Sequence, residues 1–100
     1  MLDELTFESM QALVGTSFWV YPEQEHKVEL RVVRVDKVME SQAARLKRPA
    51  FSVFMQGPAS YLIKQGTFTM THDAFAEPLQ LFIVPVEQLA ESYLYEAVFT

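Results

Sequence analysis

The side chains in this sequence best suited to acid–base or metal chemistry are two histidines that stand near carboxylates. His72 directly precedes Asp73, and Glu77 lies close by. A carboxylate beside an imidazole can form an acid–base pair, and the same groups can bind a metal ion. The competing interpretation places His72 at the end of a strand, where it hydrogen-bonds the backbone of the next turn. The sequence favours this structural role and leaves a hydrolase using His72 and Asp73 as a second alternative function.

A second set of potential ligands is the segment Glu23-Gln24-Glu25-His26. We interpret it as the solvated tip of a hairpin, because loops ordinarily carry such polar residues. The sequence has 0 Cys, which excludes disulfides, zinc–thiolate sites and cysteine nucleophiles. No serine lies in a Gly-x-Ser-x-Gly motif. We therefore predict no catalytic residue, no metal site and no cofactor, and we expect a protein that is not an enzyme.

The charged residues are segregated along the chain. There are 13 acidic and 8 basic residues, for a net charge of −5, and every basic residue lies between Lys27 and Lys64. A nucleic-acid-binding domain is usually strongly basic, so we predict no nucleic-acid partner. The favoured interpretation is that the segments neutralise one another across neighbouring strands. The alternative is a bipolar surface that orients assembly with a partner.

Three short groups of residues are candidates for contact with another protein. Arg45, Lys47 and Arg48 form a basic cluster in the longest predicted loop. The segment 61–63 is an apolar trio between two loop breakers, which either folds back onto the core or offers a contact patch. Segment 17–21 is apolar on both faces, and Trp and Tyr are enriched at interfaces. The predicted interaction surface consists of Trp19, Tyr21, Arg45, Lys47, Arg48, Tyr61, Leu62 and Ile63.

A chain of 100 residues, half of them hydrophobic, has the size and composition of one globular domain, and we predict a single domain over residues 1–100. No stretch approaches the roughly 18 apolar residues of a membrane-spanning helix. The first residues carry acids where a signal peptide needs positive charge. We therefore expect no membrane insertion and a cytoplasmic protein, including one assembled there into a larger particle.

The first predicted element is a short helix. Thr6 can cap its N-terminus, and Phe7, Met10 and Val14 follow at the spacing of one apolar stripe. Gly15 is a plausible end. A helix this short needs a sheet to pack against.

Beyond residue 16 the apolar period changes to two, which is typical of strands. Pro22, Pro58 and Pro85 are expected to end strands, and segment 86–92 is predicted as a loop or helical turn. The apolar set changes parity at Val32–Val33, which predicts a β-bulge there. Segment 79–84 is almost wholly apolar, so we expect it to be covered on both faces. The predicted strands are 17–21, 27–38, 50–56, 66–72, 79–84 and 93–99.

One helix followed by six strands with short connections predicts a mainly β domain of the α+β class with antiparallel pairing. A closed barrel and a two-layer sandwich both remain open. The bulge and the lack of an obvious edge strand favour a barrel-like, strongly curved sheet with the helix at one end.

Motifs spread over nearly the whole chain resemble those of a family of small bacterial domains of unknown function. They are FSVFMQGP at 51–58, QGTF at 65–68, LFIVPV at 81–86 and YEAVF at 95–99. Members of that family are often encoded near phage-tail-collar-like proteins, which implies a role in a tail-like or surface-fibre assembly. The resemblance supplies no catalytic residue.

These observations together predict a non-enzymatic interaction or assembly domain with a protein partner or a second copy of itself. The first alternative is a small-molecule-binding module that uses the interior of the curved sheet. The 8 Phe residues lead us to expect a filled core instead.

Overall fold

The computed structural model describes residues 6–23, 26–37 and 51–99, with the backbone but not the side chains of Glu23 and His26. The predicted basic cluster of Arg45, Lys47 and Arg48 lies outside the described residues. The elements, in chain order, are helix α1 (Phe7–Gln11) and strands β1 (Ser17–Glu23), β2 (His26–Lys37), β3 (Phe51–Pro58), β4 (Gly66–Thr71), β5 (Leu79–Gln88) and β6 (Ser92–Phe99).

The six strands form a closed barrel in the order β1-β2-β3-β6-β5-β4, and all neighbours are antiparallel. This confirms the predicted mainly β fold and decides for the barrel over the sandwich. The ring closes between β1 and β4, where the register is Trp19↔Thr71 and Val20↔Met70. Closure removes the two edges that an open sheet would leave unpaired.

The bulge predicted at Val32–Val33 is confirmed. Arg31 and Val32 pair with Gln56 and Met55, but the register then shifts and the next pair is Arg34↔Phe54. Further shifts lie between Val20 and Glu23 in β1 and between Pro85 and Glu87 in β5. Because a bulge bends its strand and increases the twist, these three shifts help the sheet to close.

The expectation that prolines end strands is confirmed for Pro58 and wrong for Pro22 and Pro85. Pro22 and Pro85 lie within β1 and β5, and β5 continues to Gln88, into the segment predicted as a loop or turn. Proline lacks an N–H group, so a strand tolerates it at a terminus or where the ladder is irregular. Pro58 is the last residue of β3, whereas Pro22 and Pro85 lie at register shifts.

The expectation that β5 is covered on both faces is also wrong. Leu81 and Ile83 are buried, but the side chain of Phe82 between them is 51% exposed. A barrel strand has one face toward the interior and the other toward solvent, so an apolar residue at an outward position stays exposed.

The helix begins as predicted and ends earlier. Thr6 Oγ1 accepts a hydrogen bond from the Ser9 amide (3.0 Å), and Ser9 Oγ accepts one from the Thr6 amide (2.9 Å). Met10 is fully buried in the barrel core. Because the helix ends at Gln11, Val14 leaves the apolar stripe and is 39% exposed. Gly15 follows with φ +94, a conformation that favours glycine.

Large side chains fill the barrel interior. The largest that are fully buried are Tyr95, Phe18, Met10, Leu30, Met55, Ile63, Met70 and Ile83. Gly57 faces the same space, and a Cβ atom there would lie 2.7 Å from Leu30 Cδ2 and 3.1 Å from Tyr95 Cε2. Tyr95 therefore depends on a glycine at position 57 for its place in the core.

We predict that Gly57→Ala destabilises the protein by about 1–3 kcal/mol, because the added methyl group overpacks a filled interior. Urea unfolding followed by circular dichroism measures the change. Gly66→Ala is the matched control, since a Cβ at position 66 meets its nearest neighbour, Phe68, at an ordinary 3.4 Å. Equal effects of the two substitutions would contradict this account of Gly57.

Candidate functional site

His72 lies directly after β4, and both nitrogens of its ring have partners within the chain. The Ala74 amide donates to Nδ1 (2.9 Å), and Nε2 lies 2.8 Å from Thr16 Oγ1. Because Nδ1 accepts a hydrogen bond, we assign the proton of the neutral ring to Nε2, which donates to Thr16. The Thr16 hydroxyl in turn donates to the Leu13 carbonyl (2.6 Å). The bond to the Ala74 backbone is the one expected of a structural histidine.

Aromatic rings surround the His72 imidazole. Its centroid lies 4.8 Å from that of Phe18 and 5.9 Å from that of Phe75. Burial lowers the pKa of His72 below the ordinary value of 6.5, and the nearby charge of Asp73 offsets part of this effect. The ring is therefore neutral at pH 7, and its hydrogen bonds go to Thr16 and Ala74 rather than to Asp73.

The hydrogen bond between His72 and Thr16 joins two segments that are far apart in the chain. Thr16 precedes β1 and His72 follows β4, so their hydrogen bond crosses the point where the barrel closes. A second contact across this junction joins Tyr21 Oη and Thr71 Oγ1 (3.3 Å). These side chains reinforce the ladder of two residue pairs between β1 and β4.

We predict that the free energy of unfolding falls as the pH is lowered from about 6.5 through the depressed pKa of His72. The unfolded state binds the proton first in this range, so the stability contribution is complete above pH 6.5 and is lost below it. NMR titration of the His72 Cε1 proton measures the pKa, and urea unfolding between about pH 5 and pH 8 measures the free energy of unfolding.

The matched variant is His72→Gln, which should lose this part of the pH dependence while the contribution of other groups remains. A His72 pKa at or above its ordinary value would contradict the assigned hydrogen bonds.

The apolar trio at 61–63 was predicted either to fold back onto the core or to offer a contact patch, and its residues differ in this respect. Ile63 is buried, and its amide donates to Tyr95 Oη (2.8 Å), so the loop between β3 and β4 is held to the core. Tyr61 packs against the core and is partly buried, whereas Leu62 is 46% exposed. Burial raises the pKa of Tyr95, and the hydrogen bond from Ile63 opposes this rise. The segment is thus mainly an anchor of its loop.

We predict that Tyr95→Phe destabilises the protein by about 1–3 kcal/mol, because it leaves the buried Ile63 amide without its acceptor. Thermal unfolding and hydrogen exchange of the Ile63 amide measure the change. Tyr93→Phe removes a hydroxyl from the same strand at a partly buried site and should change stability by less than about 0.5 kcal/mol. If Tyr95→Phe has as small an effect, the hydrogen bond does not hold the loop.

The predicted interface residues Trp19 and Tyr21 lie on the outer face of β1, opposite the buried Phe18 and Val20. Both are partly buried. The Lys27 ammonium lies over the Trp19 ring, 4.5 Å from its centroid. Trp19 is thus covered by a cation of the neighbouring strand rather than by the helix.

The same arrangement continues along β2. The Arg34 guanidinium lies 4.2 Å from the centroid of Phe54, and the Lys37 ammonium lies 4.8 Å from that of Phe7. Cations in these positions are attracted to the electron-rich ring faces. The outer side of β2 thus carries the exposed bases Lys27, Arg31 and Arg34 together with the exposed acids Glu29 and Asp36.

An ion pair joins Arg34 and Asp36 (2.8 Å), which both belong to β2. The interpretation that oppositely charged segments neutralise one another stays a prediction, as does the bipolar alternative.

Sequence reasoning missed the exposed apolar residues on β5 and β6. Phe82 is 51%, Val86 44% and Val98 57% exposed, and we name these three the β5–β6 patch. Val84 pairs with Glu96, so continuing this antiparallel register places Phe82 beside Val98. The sequence signal for this exposure was the position of Phe82 between Leu81 and Ile83. It indicates an exposed Phe82 only when one face of the strand is known to face solvent.

A shallow open groove lies on the outside of β2, β3 and β6, with Glu29, Arg31 and Glu91 on its walls. The described residues contain no group of three His, Cys, Asp or Glu side chains that could hold a metal ion. They also contain no helix that is long and apolar enough to cross a membrane.

Comparison with the curated proteins and with the solved structures gives no match. A family model does match, and it covers residues 5–99. That range includes all six strands and the helix. The chain therefore belongs to the family DUF6916, a domain of unknown function.

Proposed function

We propose that the protein is a non-enzymatic interaction domain that binds a protein partner on the outer face of the barrel. The observation that carries this proposal is the β5–β6 patch. Single exposed apolar residues are ordinary, but neighbouring large ones on a strand surface are typical of contact sites. Phe82 and Val98 lie on the outer faces of the adjacent strands β5 and β6, and each is more than half exposed.

Two observations weigh against the alternatives. The barrel interior, where a small molecule would bind, is occupied by large side chains such as Tyr95 and Phe18. The His72 ring, which a hydrolase would use, has both nitrogens in hydrogen bonds within the chain: Nε2 with Thr16 across the junction of β1 and β4, and Nδ1 with the Ala74 amide. An interaction domain needs neither an empty interior nor a reactive side chain.

The proposed setting is an assembled particle of the phage-tail or surface-fibre kind. Its support is the sequence resemblance, whose family members are often encoded beside tail-collar-like proteins.

The test compares capture of partners from a native lysate by three immobilised proteins, with the bound proteins quantified by mass spectrometry. The patch variant carries Phe82→Glu and Val98→Glu. The matched control carries Val14→Glu and Leu62→Glu, which make the same chemical change at exposed apolar residues elsewhere on the surface. Circular dichroism first establishes that all three have the same fold.

We expect the wild type and the control to retain a stoichiometric partner that the patch variant loses by at least tenfold. Equal capture by all three would show that the patch is not the binding surface. Capture of nothing by the wild type would contradict the proposed function.

A further inference from the structure

The ladder that closes the barrel is the shortest one among the described residues. Strands β1 and β4 share two residue pairs, whereas each of the other five ladders contains four to eight. A folded protein opens locally where few interactions hold it together. The side-chain hydrogen bond between Thr16 and His72 therefore contributes a large share of what holds this junction closed.

Thr16 is fixed on its own side of the junction. Its carbonyl accepts a hydrogen bond from the Val32 amide (2.8 Å), and the Val32 carbonyl accepts one from the Gly15 amide (2.8 Å). A hydroxyl group has one hydrogen to donate, and that of Thr16 goes to the Leu13 carbonyl (2.6 Å). Thr16 Oγ1 is therefore an acceptor toward His72, and Nε2 must carry the hydrogen.

The other nitrogen of the His72 ring requires the same neutral form. The Ala74 amide donates to Nδ1 (2.9 Å) in the turn that follows β4, and the Phe75 amide donates to the His72 carbonyl (3.0 Å). A proton on Nδ1 would set two N–H donors against each other at this contact. Because the imidazole is rigid, a ring that turns away from the Ala74 amide also moves Nε2 away from Thr16.

The groups packed around the ring do not offset this change. Thr16 before β1, Phe18 in β1 and Phe75 after β4 contact the imidazole, and all three are uncharged. Asp73, in the same turn, is the charged group that acts on the ring. Its attraction for a proton on His72 is smaller than the opposing effect of burial, so the pKa of His72 stays below its ordinary value.

We propose that His72 is a proton-sensitive switch of barrel closure: one proton on its Nδ1 releases the junction between β1 and β4 while the other five ladders stay formed. The switch goes beyond the proposed function and does not depend on it. The neutral ring favours the closed barrel, and the charged ring favours the open one. In the open form the backbone groups that β1 and β4 share become available at two strand edges.

The test is native-state hydrogen exchange followed by NMR at about pH 7.5 and about pH 5.5, on either side of the histidine range. We name the Ala74 amide and the amides shared by β1 and β4 the junction amides. After correction for the intrinsic exchange rates, they should lose protection severalfold in acid. The loss should reach at most about tenfold over the one pH unit below 6.5, because one proton is bound.

Low concentrations of urea separate local opening from unfolding of the whole barrel. Urea promotes an opening in proportion to the surface that the opening exposes. The junction amides should therefore open with a lower free energy than the rest and respond little to urea. The amides shared by β3 and β6, whose ladder has eight residue pairs, should exchange only through global unfolding and respond strongly.

A substitution of each histidine assigns the acid response. In His72→Asn the side-chain oxygen can accept from the Ala74 amide in place of Nδ1, and it does not titrate in this range. The acid-induced loss at the junction should therefore disappear. His26→Asn is the matched control, since it changes the second of the 2 histidines and should respond to acid as the wild type does.

Thr16→Val tests the other end of the switch. It removes the acceptor of Nε2 and leaves His72 in place, so the junction amides should lose protection already at about pH 7.5. Unchanged protection of these amides in this variant contradicts the proposal.

The remaining outcomes also distinguish the switch from its alternatives. A loss of junction protection in acid that is insensitive to urea and is abolished by His72→Asn supports it. Junction amides that keep their protection in wild-type protein at about pH 5.5 overturn it. The same free energy and urea response for the junction and for the β3–β6 ladder overturn it too, because acid then acts only on global unfolding. An acid response that persists in His72→Asn assigns the effect to another group.

Discussion

Strands β1 and β4 meet through two residue pairs, and this short ladder closes the ring. Closure gives every strand one face toward the interior and one toward solvent. The pairs gain support at both ends, from the bond between Thr16 and His72 and from that between Tyr21 and Thr71. If the ring opened here, β1 and β4 would become unpaired edges. The burial of Phe18 and the exposure of Phe82 both follow from closure.

A filled interior is the second consequence of closure. A ring of six strands leaves a narrow space, and Tyr95 fits into it because Gly57 contributes no side chain on the neighbouring strand β3. The hydroxyl of the same tyrosine accepts a hydrogen bond from the Ile63 amide, so the packing of the core also positions a surface loop. His72 has a comparable double role, since its ring packs on Phe18 while its nitrogens join two segments. The polar side chains at the ends of this barrel hold it together.

The side chains that do not fill the interior lie on the outer surface of the barrel. Basic side chains of β2 lie over aromatic rings, and Phe82 on β5 and Val98 on β6 stay exposed. Attraction across an exposed ion pair is weak, typically below about 1 kcal/mol, so exposed apolar residues contribute more than surface charges to a contact with a partner.

Local sequence determined the features that depend on near neighbours. Hydroxyl side chains at positions 6 and 9 cap the helix, the change of parity at Val33 marks the bulge, and alternation from Phe51 to Met55 identifies the inner face of β3. The charge segregation was equally visible in the sequence. Tertiary structure alone decided the pairing of β3 with β6, the contact of Thr16 with His72, and the exposure of Phe82. The physical reason is that capping and alternation act over a few residues, whereas ring closure joins segments far apart in the chain. Which apolar side chains remain outside depends on that closure.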